Sequence, residues 1–353
     1  MEIAHVRILR LATGTGLSMW VSQAVGWDLS FIAPVITLFI LALPLPALTL
    51  ATGIKFLAAM SLSMYAGLLL LPWLLDYQLV GLLLLILALY WSFYFTAKGG
   101  SPVLGTFVTL GIALSTAVGS VSVDATLMLI SGLIMNATIG IVFVWIAHAL
   151  VPDALAGGFP KPAGGKPQDA SGPDLAEARW SALRSTMIVF PIAFWFMLSG
   201  ASTSYVPVMI KVASMGQQAT NEGARLAGRS LIMSTIIGGI GAIIGWNILR
   251  VVPELLMYAL LVALGALIFG RKIFQGKGMH PDAGTWSYGY LTMIVILAPA
   301  VMDTMSGSSA DAAFWSRLLM FGLATLYGVA AVYVVDAFRP ASTGRRAARP
   351  GPY

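Results

Sequence analysis

Apolar runs of about twenty residues recur from one end of the chain to the other, and most charges fall in the short segments between them. A helix needs about that length to cross the hydrocarbon core of a bilayer. Backbone inside hydrocarbon must also satisfy its own hydrogen bonds, which restricts spanning segments to helices and closed barrels. Only 10% of the 353 residues are charged and 58% are hydrophobic, whereas soluble domains carry roughly 25% charged residues. The fold class read from this is an all-α integral membrane protein. Twelve candidate spans centre near Ser18, Leu41, Leu62, Leu85, Gly111, Ala137, Ala193, Met209, Ile237, Leu260, Ile294 and Gly328. The second and eighth are interrupted, by Pro34, Pro44 and Pro46 and by Pro207 and Lys211.

The charges give an independent check. With both termini in the cytoplasm and twelve alternating spans, almost every Lys and Arg falls on the inner side, and only Arg250 and Arg317 fall outside. The outer loops carry Asp28, Asp76, Asp124, Glu254, Asp303 and Asp311 instead. A wrong count would scramble this asymmetry, so positive-inside bias supports twelve. The net charge of +6 then reflects cytoplasmic loops and a bacterial inner membrane, not nucleic acid. The chain has no cysteine, and His5, His148 and His280 are far apart, so no metal site or cofactor is expected. Arg7 and Arg10 before an apolar run, with Ser22-Gln23-Ala24 after it, loosely match a signal peptide. Because the segment has a counterpart later in the chain, it is read as an uncleaved first helix.

That counterpart is part of an internal repeat. LRLATGTGLSMWVSQAVGWDLSFIAPVI from Leu9 aligns with LRSTMIVFPIAFWFMLSGASTSYVPVMI from Leu183, pairing Arg10 with Arg184 and Pro34 with Pro207. VFVWIAHALVPD, closing at Asp153, echoes AAVYVVDAFRP, closing at Pro340, and sets His148 opposite Asp336. The organisation expected is a six-helix repeat at 1–151, a Pro/Gly-rich cytoplasmic linker at 152–178, a second six-helix repeat at 179–340 and a basic cytoplasmic tail at 341–353. Six spans per half give both halves the same orientation, so they are parallel repeats about an axis along the membrane normal, with a shared cavity between them.

Lys211 carries the sharpest functional signal. A cation at the centre of a lipid-facing helix costs roughly 2.5–3.5 kcal/mol even on insertion scales. Pro207, one turn earlier, is expected to bend the eighth helix. Two readings stand: the amine faces a pathway and attracts a carboxylate, or it snorkels to the inner interface. Gln217, Gln218, Asn221 and Glu222 extend the polar face inward as a pathway lining would, and Tyr205 lies close enough in sequence to stack on a substrate. Trp20 and Trp195, paired by the repeat, are the aromatic candidates for an aromatic substrate. Glu222, Asp28 and Asp303 are the proton-coupling candidates. Glu222 can equally form an ion pair with Arg225.

Three motifs read as something other than their textual match. Gly223 to Ser230 has a phosphate-loop spacing with arginine in place of lysine, but it lies between membrane helices with no strand before it, so Arg225 and Gly228 are read as structural. Gly241 and Gly245, following Gly238 and Gly239, make one helix face nearly flat, a packing surface within the protein or within a homo-oligomer. His148 and Asp153 match an acyltransferase spacing interrupted by Pro152. No catalytic residue is assigned, and the protein is read as a transporter and not an enzyme.

The first helix, LRLATGTGLSMWVSQAVGWDLSFIAPVITLFI, and the block GARLAGRSLIMSTIIGGIGA together resemble the fusaric acid resistance / aromatic acid exporter family. The second block is similar to that family's Arg-x-x-Gly-Thr-x-x-Gly signature, with Arg225 and Gly228 in place and Arg229 where threonine is expected. The linker is too short for the cytoplasmic domain of larger members, so the chain looks most like the compact transmembrane-only branch. The resemblance implies efflux of aromatic or other organic acids, driven by protons, with a periplasmic membrane-fusion adaptor as partner. It also implies a rival, since the same fold clan includes plant anion channels. The natural absence of cysteine makes the topology testable: a cysteine at Lys161 should react with impermeant maleimide only from the cytoplasmic side, and one at Asp124 only from the outside.

Overall fold

The computed structural model describes residues 2–156, 175–198, 206–221, 224–276, 278–305 and 310–339. They form helices α1 (Ile3–Val25), α2 (Ile32–Leu41), α3 (Leu50–Leu69), α4 (Leu71–Asp76), α5 (Gln78–Ala97), α6 (Pro102–Gly119), α7 (Val123–Leu150), α8 (Leu175–Leu198), α9 (Val206–Asn221), α10 (Ala224–Val251), α11 (Leu255–Ile273), α12 (Ala283–Met305) and α13 (Ala310–Ala337). Helix α4 continues α3 after a bend at Leu70, with a proline in its first turn. The one departure from all-α is a two-strand antiparallel turn, Phe274–Gln275 with Gly278–Met279, that joins α11 to α12.

Among the described residues, eight helical segments are long and apolar enough to cross a membrane. They are the α3–α4 pair, α5, α6, α7, α8, α10, α11 and α13. The chain is therefore a multi-pass, all-α membrane protein. The two interrupted candidates come out shorter than a span. Helix α2 has ten residues, an axial rise of about 15 Å. Helix α9 has 16 described residues, about 24 Å. Pro207 falls in the first turn of α9 and Pro34 is the third residue of α2. Residues 199–205 lie outside the described residues, and the bend expected at Pro207 lies with them.

Burial separates the helices into a central set and an outer set. Every residue of α2 and every residue from Val206 to Thr220 is buried. Helix α1, rich in Ser, Thr and Gly, buries one side along its whole length, and α12 is buried from Tyr290 to Ala298. The leucine-rich α3, α5, α10 and α13 expose Leu62, Leu83, Ile240 and Leu323 on the outer surface. Hydrocarbon accepts leucine and offers hydroxyls nothing, so the polar positions of α1 and α9 face inward.

The halves interlock instead of lying side by side. Helix α1 packs along α11, and α5 along α8; α3 packs along α6, and α10 along α12. Helix α2 lies on α1 and α7, and α9 on α8 and α13. Small residues set the closest approaches. A Cβ on Gly238 would sit 2.3 Å from the Gly289 carbonyl, so α10 and α12 touch backbone to backbone there. Gly241 and Gly245 continue that face onto Met293 and Leu297, and Gly228 meets Tyr333 of α13. The flat face is thus spent within the protein, on α12. Gly238→Ala forces those helices apart, and its melting temperature in detergent should drop by the equivalent of about 1–3 kcal/mol, the usual cost of overpacking.

Candidate functional site

Helix α9 carries a polar stripe through an otherwise apolar interior. Lys211, Ser214 and Gln218 follow at three- and four-residue spacing and so share one face. Lys211 is 1% exposed, and its ammonium donates to Thr292 Oγ1 on α12 at 3.1 Å. The Thr292 hydroxyl in turn donates a hydrogen bond to the Tyr288 carbonyl (2.8 Å). Among the described residues no carboxylate pairs with Lys211. The snorkelling reading fails, because the amine is enclosed by helices. One turn on, the Gln218 Oε1 accepts from Ser230 of α10 (3.3 Å), and Ser230 shares a proton with Thr285 of α12 (2.8 Å).

Gln217 points elsewhere. Both atoms of its amide are buried without a protein partner, as are Gln218 Nε2 and Thr96 Oγ1. The amide lies beside Gly105, where a Cβ would come 2.1 Å from Thr96 Oγ1 and 2.9 Å from Gln217 Nε2. Ser92 and Thr109 share a proton nearby (2.8 Å), and Ser92 also donates to the Gly105 carbonyl (3.3 Å). The polar seam therefore joins α9 of the second half to α5 and α6 of the first. Its members are buried.

The opposite face of α9 is held at its C-terminal end. Ser181 donates to the Thr220 carbonyl (2.7 Å), Ser185 pairs with the Thr220 hydroxyl (2.7 Å), and Arg184 donates to the Ala219 carbonyl. The last carbonyls of a helix have no partner within it, so buried donors from α8 supply them. Arg184 also bonds Asp336 at the end of α13 (3.2 Å). Arg10 does the same for α7: it donates to the Val151 carbonyl (2.8 Å) and pairs with Asp153. Both arginines are buried. Asp153 is thereby Arg10's partner and does not orient His148, whose Nδ1 instead bonds the Val144 carbonyl (2.8 Å). No acyltransfer dyad forms. The phosphate-loop spacing likewise dissolves into helix, since α10 runs from Ala224.

The remaining predicted residues scatter. Trp20 and Trp195 face outward, 44% and 67% exposed, on the membrane-facing surface and away from the buried stripe. Asp28 is exposed at the turn before α2, where its carbonyl accepts from Asn136 (3.1 Å). Tyr205 and Glu222 lie outside the described residues, as do the side chains of Asn221, Arg225 and Asp303. Thr292, Thr285, Thr96 and Gly105 were missed by the sequence reading. The seven-residue spacing of Thr285 and Thr292 on one helix face was the available signal.

Residues 7–147 match the model of a protein family of unknown function, DUF2955. No curated protein and no solved structure matches the chain.

The single hydroxyl bond of Lys211 yields a stability test. Replacing a partner-poor buried cation with an apolar residue of similar volume is usually neutral or stabilising, so Lys211→Met should melt no lower than the wild type. Thr292→Val, which leaves the ammonium without that acceptor, should cost about 1–3 kcal/mol.

Proposed function

We propose that the protein exports aromatic or other organic acid anions across a bacterial inner membrane, as a proton-driven antiporter working with a periplasmic membrane-fusion adaptor. The observation that carries this reading is the Lys211 ammonium, wholly enclosed and bonded to one hydroxyl. Holding a cation there costs free energy that a stabilising residue would not need. A carboxylate arriving at Lys211 recovers part of that cost through charge-assisted hydrogen bonds. The stripe through Ser214 and Gln218, with Gln217 turned toward Thr96, offers further polar groups along the route.

We read the architecture as twelve spans in two parallel six-helix repeats with both termini cytoplasmic, counting α3 and α4 as one. The reciprocal packing supports this. Replacing each helix by its counterpart in the other half turns the α1–α11 contact into α8–α5, α3–α6 into α10–α12, and α1–α7 into α8–α13, and each of these contacts exists. The paired clasps of Arg10 and Arg184 follow the same exchange. Export is energetically open to such a chain: an anion leaving the negative interior gains about 2.3 kcal/mol per 100 mV, and a counter-moving proton adds to it. The resemblance to the aromatic acid exporters stands on the first helix and the Arg225–Gly228 block.

One observation favours the passive anion channel as a second reading. Lys211 has no acidic partner among the described residues, and the coupling candidate Asp28 is exposed at a turn. Counterflow of labelled acid in vesicles given a pH jump separates the two, because only an antiporter accelerates with the gradient. In acid-loaded cells, Lys211→Met should lower export at least about tenfold, the loss of one charge-assisted hydrogen bond, and Lys211→Arg should retain part of it. Export by Lys211→Met at the wild-type rate overturns the reading.

A further inference from the structure

Arg10 and Arg184 occupy matching places in α1 and α8, but their surroundings differ in charge. Asp336 meets Arg184 and also accepts from Trp180 Nε1 (3.1 Å). The aligned position in the first half is His148. A carbonyl can only accept, so the bond to Val144 places the proton of a neutral His148 on Nδ1. Its Nε2 is buried with no protein partner. A pocket opens beside this histidine, lined by Arg7, Arg10, Leu43, Leu45 and Pro46 among others.

The pocket exists because α2 stops at Leu41. Pro44 and Pro46 forbid its continuation, and the chain runs non-helical to Thr49. Trp145 of α7 holds this segment by donating to the Leu48 carbonyl (2.8 Å). Two guanidinium groups and a histidine nitrogen therefore share a space with an apolar wall. Asp153 offsets one positive charge, and Arg7 lies over the Phe274 ring at 5.9 Å. Leu45, Leu50 and Leu150 are exposed at the same end of the bundle, so the pocket borders the outer, lipid-facing surface.

We infer that this pocket binds the phosphate of an anionic phospholipid, from the leaflet on the side of the N-terminus, with its acyl chains over Leu45 and Pro46. Phosphate suits clustered guanidinium donors, and basic pockets between membrane helices are a recurrent means of holding such headgroups. The lipid bridges α1, α7 and the non-helical segment after α2, bracing a stretch that lacks helical hydrogen bonds of its own. This assignment is independent of what the protein carries.

The test is thermal stability of the full-length protein in mild detergent, titrated with phosphatidylglycerol, phosphatidylcholine or inorganic phosphate. Phosphatidylglycerol should raise the melting temperature and phosphatidylcholine should not. Arg7→Gln should weaken the apparent phosphatidylglycerol affinity about fivefold, Arg7→Lys should keep most of it, and His148→Gln should reduce it. Equal stabilisation by the two lipids, or an unchanged response in both Arg7→Gln and His148→Gln, overturns the site. Stabilisation by inorganic phosphate as strong as that by the lipid overturns the lipid assignment in favour of a soluble anion. If either variant fails to fold, native mass spectrometry of the wild type decides: retained phosphatidylglycerol displaced by neither phosphate nor phosphatidylcholine supports the proposal, and its absence refutes it.

Discussion

Hydrocarbon cannot hydrogen-bond, and the arrangement of this protein follows from that single property of its solvent. Hydroxyl, amide and amine groups within the membrane-spanning layer find partners only from other helices. The helices that carry them, α1, α2, α9 and the middle of α12, are accordingly the enclosed ones, while leucine-rich helices form the exterior. Lys211 is the extreme case, an ammonium for which the interior provides one threonine hydroxyl.

Close backbone contact delivers that threonine. Gly238 and Gly289 let α10 and α12 meet without intervening side chains, and the same close approach brings Thr292 against α10. Thr292 then sits between α10 and the amine of α9. Small residues thus do two jobs here. They supply packing where the hydrophobic effect between lipid-solvated helices is weak, and they bring the polar groups of three helices within bonding range.

Helix ends obey the same rule. Arg10 and Arg184 cover carbonyls at the ends of α7 and α9, each paired with an aspartate. The two clasps differ beside the arginine: Asp336 accompanies Arg184, and His148 lies near Arg10.

Hydropathy alone determined the solvent and the helical class, because insertion free energy sums locally along the chain. The same local sums singled out Lys211 as out of place. They could not say where its amine goes, since snorkelling and burial differ by which helices surround α9, a matter of contacts distant in sequence. Helices α2 and α9 looked weakest because prolines and a lysine interrupt them, yet both are central: α2 and residues 206–220 are buried throughout. Trp20 and Trp195, chosen by repeat symmetry and aromatic chemistry, turned outward because symmetry fixes a position and not which way a side chain faces. The partners of the stripe, Thr292, Thr285, Ser230 and the Thr96–Gly105 corner, lie on helices up to about a hundred residues away in sequence. Only the tertiary packing brought them to α9, because hydrogen bonds act over ångströms and take no account of distance along the chain.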